Sequence, residues 1–415
     1  MFPVGFGDCF LLSFLYKRPR SDQHILIDFG TVGGKADMHQ VAKDIKAACN
    51  GKLYAVVATH RHRDHISGFS TKAGENSTGK IIASCEPEVV VQPWTEDPKA
   101  APNAQTAGLL SDRRNLTDKQ LYFASMLAMT SVAEHITKVG SQFRASGNRK
   151  TSIEKIAETN VSNPEAVLNL QKMGKQPPRF VHYDSPSGLE DRKLLPGVKV
   201  RVLGPPTLAE ANIKKYAKNS DEYWIATKYW GLQENSFSSI RKKKLFPSQA
   251  AITEGQRPFH TRWFTDRADA TMKGNVLGMV TALDNFLNNT SVILLFEVKG
   301  KKLLFPGDAQ LENWSYALGQ KGVKELLTDV DLYKVGHHGS RNATPQSLWD
   351  SFKKRGSPER SGVLKTMMSS APGVYNRSAE GQVPLPRLVT ELKTHSSFES
   401  TLGRKAKDGP VIIEF

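Results

Sequence analysis

Three histidines and an aspartate fall within six residues in the run Thr59-His60-Arg61-His62-Arg63-Asp64-His65, directly after the apolar segment Leu53-Tyr54-Ala55-Val56-Val57-Ala58. The apolar segment reads as a buried strand. A strand that ends at Ala58 delivers the following loop to the carboxyl edge of a sheet, where ligands gather in α/β folds. Imidazole nitrogens with a carboxylate oxygen are the donors that Zn²⁺ prefers, and open catalytic sites use that mixture. His60 and His62, two residues apart, reach one ion if the loop stays extended. Asp64 and His65 then turn towards a second, and Gly68 relieves crowding where the chain enters the next element. The competing reading is a basic surface loop whose histidines merely titrate.

Other segments fill in the frame. Cys9 to Tyr16 and His24 to Phe29 read as neighbouring strands around a polar bend, and Val89-Val90-Val91 as a further short strand. Asp37 to Cys49 has helical spacing at Met38, Val41, Ala42 and Ile45, with Asp37 as the N-cap. Between 98 and 275 the character changes to polar helical segments (117–140, 151–160, 164–173 and 207–218), with one strand-like run at Val198 to Leu203. The basic, aromatic stretch from Trp224 to Phe264 contains Lys242-Lys243-Lys244. The β pattern resumes at Ser291 to Val298 and at Leu303-Leu304-Phe305-Pro306-Gly307-Asp308. A helix is expected over 310–319, a strand over Asp331 to Val335 leading into Gly336-His337-His338-Gly339-Ser340, and a closing strand over Val411 to Phe415.

Charge narrows the partners. Of 415 residues, 57 are Lys or Arg and 41 are Asp or Glu, a formal net charge of +16. Such a balance suits polyanions, chiefly nucleic acid or another phosphorylated polyanion. Three scattered cysteines imply no disulfide framework, and a cytoplasmic location is expected. No apolar run approaches the roughly 18 residues of a membrane span.

Three strand-terminal motifs thus stand in order: the His60–His65 loop, Gly307-Asp308 and His337-His338. This order resembles the metallo-β-lactamase-fold hydrolase superfamily. With Val4-Gly5-Phe6-Gly7-Asp8-Cys9 and Ile27-Asp28-Phe29-Gly30 added, the chain is most similar to the hydrolase domain of DNA-internalisation competence proteins and their stand-alone relatives. The likeness covers 1–97 and 276–415, the two halves of the core, and makes 98–275 an insertion, a lid or a substrate-binding region. It implies an α/β (α+β) fold, a four-layer αββα sandwich with a large, mostly helical insertion. It also implies Zn²⁺, one or two ions, with Mn²⁺ as the other option. Carried over residue by residue, His60 and His62 bind the first metal, Asp64 and His65 the second, and Asp308 bridges them. His337 is the favoured remaining ligand of the second site, with His338 beside it facing substrate or a ligand. Asp64, Asp308 and His338 are thereby assigned to catalysis, and Asp28 to orienting the histidine loop.

Two departures accompany the resemblance. The histidine that many superfamily members supply to the first metal is missing from Asp284–Ser291, which leaves that site to water or to an Asn or Asp oxygen. Gln382–Pro386 lacks the histidine that the competence-type branch often carries before proline. Arg61, Arg63 and Arg341, beside the motifs, are expected to hold a phosphate, and Lys242, Lys243 and Lys244 to track a strand. The resulting expectation is a metal-dependent phosphodiesterase acting on nucleic acid or nucleotides. Hydrolysis of small esters, thioesters or lactams is the alternative on the same residues. A nucleic-acid-binding module with a degenerate metal site is the alternative from another class.

Overall fold

The structure, a computed structural model, describes residues 1–33, 36–97, 163–207, 287–342, 344–372 and 382–415. Two sheets carry it. The first has the order β1 (Cys9–Phe14), β2 (Gln23–Phe29), β3 (Ala55–Val57), β4 (Val89–Pro93), β5 (Arg179–Val181). Only β1 and β2 are antiparallel; the other neighbours run parallel. The second sheet has the order β11 (Ser397–Ser400), β10 (Lys365–Met368), β9 (Leu332–Lys334), β8 (Lys301–Phe305), β7 (Ile293–Val298), β6 (Val198–Gly204). There β8 to β11 are parallel, whereas β6, β7 and β8 form antiparallel pairs.

The interior strands β3, β4 and β7 read as nearly continuous apolar runs because both of their faces are covered. Side chains alternate across a strand. In the register Leu26–Val56–Val90, one row belongs to a core shared with helices. The adjacent row, Ile27–Val57–Val91, joins Leu294, Phe296, Phe305 and Met367 of the second sheet in a common core. The opposite rows of the second sheet, Ile293, Leu295, Leu304 and Tyr333, pack in a third core with helix residues Trp314, Leu327, Leu348 and Leu392.

Helix α1 (Met38–Ala48) shows how this follows from sequence. Asp37 accepts a hydrogen bond from the Gln40 amide as N-cap, and Val41, Ala42 and Ile45 form its buried face. Helix α2 (Arg63–Ile66) is a single turn after the histidine loop, and α3 (Thr78–Ala83) is capped by Ser77. The other α-helices among the described residues are α4 (Pro164–Lys172), α5 (Leu311–Gly319), α6 (Val323–Leu327), α7 (Gln346–Ser351) and α8 (Pro386–His395).

Two expectations are corrected. The span expected as an insertion lends its described part, 163–207, to both sheets: β5 bonds to β4 and β6 to β7. The helices expected at 117–140, 151–160 and 207–218 fall outside the described residues, apart from Thr207. No strand forms at Val411 to Phe415. Met1 and Val411 exchange backbone hydrogen bonds of 2.9 Å, but Ile412 and Phe415 are exposed, so no apolar face drives the pairing onward. Among the described residues, no helix is long and apolar enough to cross a membrane.

Candidate metal centre

The ends of β2, β3, β8, β9 and β10 converge at one rim, where the Val292 amide, just before β7, donates to Thr59 O of the first sheet's half (2.9 Å). Within that half, the Asp8 amide donates to Asp64 O (3.0 Å). Gly307, at φ +56°, lies so close to Thr59 that an added Cβ would sit 2.8 Å from the threonine Cβ, which is why glycine precedes Asp308.

Asp28, the penultimate residue of β2, organises the histidine loop. Its Oδ1 accepts from the Thr59 amide (2.7 Å), and its Oδ2 accepts from Thr59 Oγ1 (2.7 Å) and His65 Nδ1 (2.8 Å). Since a carboxylate only accepts, Nδ1 of His65 carries the proton, and Nε2 is aimed 3.0 Å from Asp308 Oδ2. Burial by itself lowers the basicity of His65, but Asp308 and Asp28 outweigh it and raise the imidazole well above its ordinary range.

His60 behaves oppositely. Burial, followed by its histidine neighbours His65 and His62, holds it well below the ordinary imidazole value. The Thr59 hydroxyl donates to Asp28, so it accepts from His60 Nδ1 (3.2 Å). The bare Nε2 of His60 then accepts from His62 Nδ1 (3.0 Å).

From the second sheet, Asp308 and His338 face this loop. His338 Nδ1 donates to Ser369 O (3.0 Å), which turns Nε2 to 3.2 Å from Asp64 Oδ2 and 3.6 Å from Asp308 Oδ2. Burial raises Asp308, but His65, Lys334 and His338 pull it well below the usual carboxylate range. Asp64 is lowered in the same way, burial being outweighed by His338, His65 and His62. One potential ligand atom from each of Asp64, His65, Asp308 and His338 lies within 4.8 Å of the others, and all four side chains are buried. Asp64 Oδ1 is buried with no hydrogen-bond partner. A cation would satisfy that oxygen and replace the proton that the carboxylates hold on His65, so the donor set fits one divalent ion.

A second group of ligand types, Asp8, Asp28 and His65, adjoins it. There the Asp28 oxygens are consumed by Thr59 and His65. Asp8 Oδ2 forms an ion pair with Lys334 Nζ, so this group supports the first rather than competing with it.

The placement expected of the adjacent histidines is reversed. β9 ends at Lys334, and His337 and His338 both adopt positive φ (41° and 53°) in a tight turn, so strand alternation does not carry past Val335. His338 turns inward. His337 is half-buried, with Nδ1 2.9 Å from Ser340 Oγ and 3.3 Å from Gln310 Nε2, while its amide donates to Asp308 Oδ1 (3.0 Å).

Arg61 also departs from expectation: its guanidinium makes a bidentate pair with Glu96 (2.9 and 2.8 Å). Arg63 is half-buried at the start of α2, Arg341 is exposed after the histidine turn, and Lys242, Lys243 and Lys244 lie outside the described residues. Where the missing histidine would be sought, Asn288 is buried and Ser291 Oγ accepts from the Asp308 amide (3.2 Å). The Gln382–Pro386 stretch packs on the histidine turn, the Leu385 amide donating to Gly339 O (2.9 Å).

Sequence reasoning missed Lys334, Asp8 and Glu96. The signal for Lys334 was present: a lysine inside the apolar run Leu332-Tyr333-Lys334-Val335 must find partners if that strand is buried. No protein-family model matches the chain, and no curated protein matches it.

Proposed function

We propose that the chain is a metal-dependent hydrolase of the metallo-β-lactamase fold, acting on phosphodiester bonds of nucleic acid or nucleotides. The observation that carries the reading is the buried convergence of Asp64, His65, Asp308 and His338 from two sheets, with an unsatisfied carboxylate oxygen among them. The three cores, one between the sheets and one outside each, support the four-layer sandwich that this fold requires. Three free thiols fit a reducing cytoplasm.

When bound, Zn²⁺ or Mn²⁺ supplies Lewis acidity, acidifying water and offsetting charge that builds on the group under attack. The protein's own residues hold the geometry. Asp28 fixes the His65 ring, Ser369 fixes the His338 ring, and Lys334 with the His337 amide fixes Asp308. His337, half-buried beside the ligands, stands where it can meet a substrate. The net charge of +16 favours a polyanionic substrate and gives no advantage with small neutral esters.

The test combines metal analysis of purified protein with a panel of DNA, RNA, bis(p-nitrophenyl) phosphate and a thioester. Chelator-sensitive cleavage of phosphodiesters is expected. Cleavage of the thioester alone replaces the reading with the small-ester alternative. Salt-sensitive nucleic-acid binding without any turnover replaces it with the binding-module alternative.

A further inference from the structure

We propose that Cys49 and Cys85 form a redox-modification site: a hydroperoxide oxidises Cys49, Cys85 resolves the oxidised sulfur, and the resulting disulfide staples α1 to α3. The inference depends neither on the metal centre nor on the hydrolase reading.

Cys49 is the C-cap of α1, and Cys85 lies just past the end of α3. Their Sγ atoms are 3.9 Å apart. Each sulfur also reaches a carbonyl of its own helix, Lys46 O for Cys49 (3.5 Å) and Ile81 O for Cys85 (3.6 Å). The backbone already holds the two helix ends together, because the Lys52 amide donates to Cys49 O and the Leu53 amide to Cys85 O, both at 2.9 Å. Beside the sulfurs, Lys46 Nζ donates to Ser84 Oγ (2.9 Å) and bridges the same two ends. A disulfide holds its sulfurs about 2.05 Å apart, so closure asks for an approach of about 2 Å, which thiol rotation and the helix ends supply.

Two thiols in contact in a core can serve simply as small apolar side chains. Cys9 shows that condition: burial pushes its thiol far up and keeps it protonated. Cys49 departs from it. The Cys85 thiol and the amides of Gly51 and Lys52 favour the Cys49 thiolate, outweigh burial and hold it below the ordinary thiol range; Cys85 is pushed up, first by Cys49 and then by burial. One sulfur is therefore set as nucleophile and its neighbour as the thiol that resolves it. Both are buried, but exposed Ala48 and Asn50 flank Cys49, and exposed Ser84 and Glu86 flank Cys85. Fraying of a helix end is enough to admit a small peroxide.

The chemistry balances with the peroxide as the sole oxidant. The Cys49 thiolate attacks one peroxide oxygen, the O–O bond breaks, and the departing oxygen takes a proton, leaving a sulfenic acid on Cys49. The Cys85 sulfur gives up its proton and attacks the Cys49 sulfur, and the S–O bond breaks with release of water. Two thiols thus lose two hydrogens, and one H₂O₂ becomes two molecules of water.

The test treats the reduced full chain, while folded, with a small molar excess of H₂O₂, then quenches, unfolds and alkylates it for mass analysis. Of the three thiols, Cys49 and Cys85 should be lost to a disulfide within one chain, leaving Cys9 alone to be alkylated. Protease digestion should yield one linked peptide pair containing Cys49 and Cys85, and a thiol reductant should restore all three thiols. The linked protein should melt at least about 3 °C above the reduced one, because the cross-link closes a loop in the unfolded chain. Cys85→Ser should stop at a sulfenic acid on Cys49, which dimedone traps, whereas Cys49→Ser should keep both of its remaining thiols. Three alkylatable thiols after a treatment that fully oxidises free cysteine overturn the proposal. A link that involves Cys9 or a second chain overturns it as well. So does a Tm that stays level or falls on linkage, since the native helix ends would then have to be forced together. Should a serine variant not fold, the peptide map and the Tm of the wild type decide.

Discussion

His338 is held at both ends of its ring, by the Ser369 carbonyl at Nδ1 and by the Asp64 and Asp308 carboxylates at Nε2. His337, one residue earlier, gives its backbone amide to Asp308 and its ring to Ser340 and Gln310. The two substitutions should therefore separate. His338→Ala should remove both metal and turnover; His337→Ala should retain metal while losing part of the rate. Metal content measured on each purified variant checks this, and retention of metal by His338→Ala would return the ligand role to His337. At this scale the sequence displayed the imidazole and carboxylate residues of the cluster and their order, because such side chains at strand ends are a chemical signature. Which of two adjacent histidines turns inward was not legible. That depends on where β9 ends and on two residues with positive φ, a local strain that only the packed loop imposes.

Secondary-structure elements meet at the Arg61–Glu96 pair, which ties the histidine loop to the turn after β4 (Trp94–Glu96). Glu96 is buried, but Arg61 is 23% exposed, so solvent screening cuts the value of the pair to about 1 kcal/mol. Arg61→Ala should lower unfolding stability by about that amount while changing nucleic-acid KM by less than about threefold, since the guanidinium is spent on the protein. Urea denaturation beside steady-state kinetics distinguishes this from a phosphate contact, for which KM would carry the effect. The same scale explains which elements could be read in advance. β3, β4, the centres of β2 and β7 and the end of β8 (Leu303–Phe305) carry buried apolar residues on both faces and were visible as runs. β5 (Arg179–Val181) and β11 (Ser397–Ser400) were not, because they are short edge strands with half-exposed residues, held by the ladder of a neighbour and not by an apolar pattern of their own.

For the molecule as a whole, the site is a joint between sheets. Asp64 and His65 come from the loop after β3, and Asp308 and His338 from the ends of β8 and β9, so an ion bound there links the two halves across the rim. Without an ion, protons take its place. The folded-state basicity of His65 and of His338 is raised: burial opposes this, but carboxylates (Asp308 and Asp28 for His65; Asp308, Asp8 and Asp64 for His338) outweigh it. A group whose folded pKa lies above its unfolded value stabilises fully below the unfolded value and loses that contribution as pH rises through the folded one. The metal-stripped protein should thus lose stability as pH climbs above 6.5, the ordinary imidazole value, while Asp64 and Asp308 are left facing each other unprotonated. A divalent cation replaces those protons and binds more tightly as they leave. At a hundredfold excess over Kd it adds about 2.7 kcal/mol, a rise of a few degrees in Tm for a chain of this size. The gap in Tm between metal-loaded and metal-stripped protein should therefore widen from pH 6 to pH 9, measured by calorimetry at fixed free metal. Calorimetric titrations in buffers of differing ionisation enthalpy should show protons released on binding, more of them near pH 6 than near pH 9. A gap that narrows with rising pH would mean that the cluster is held by proton-mediated pairs alone, and the case for a cation at this rim would fail with it.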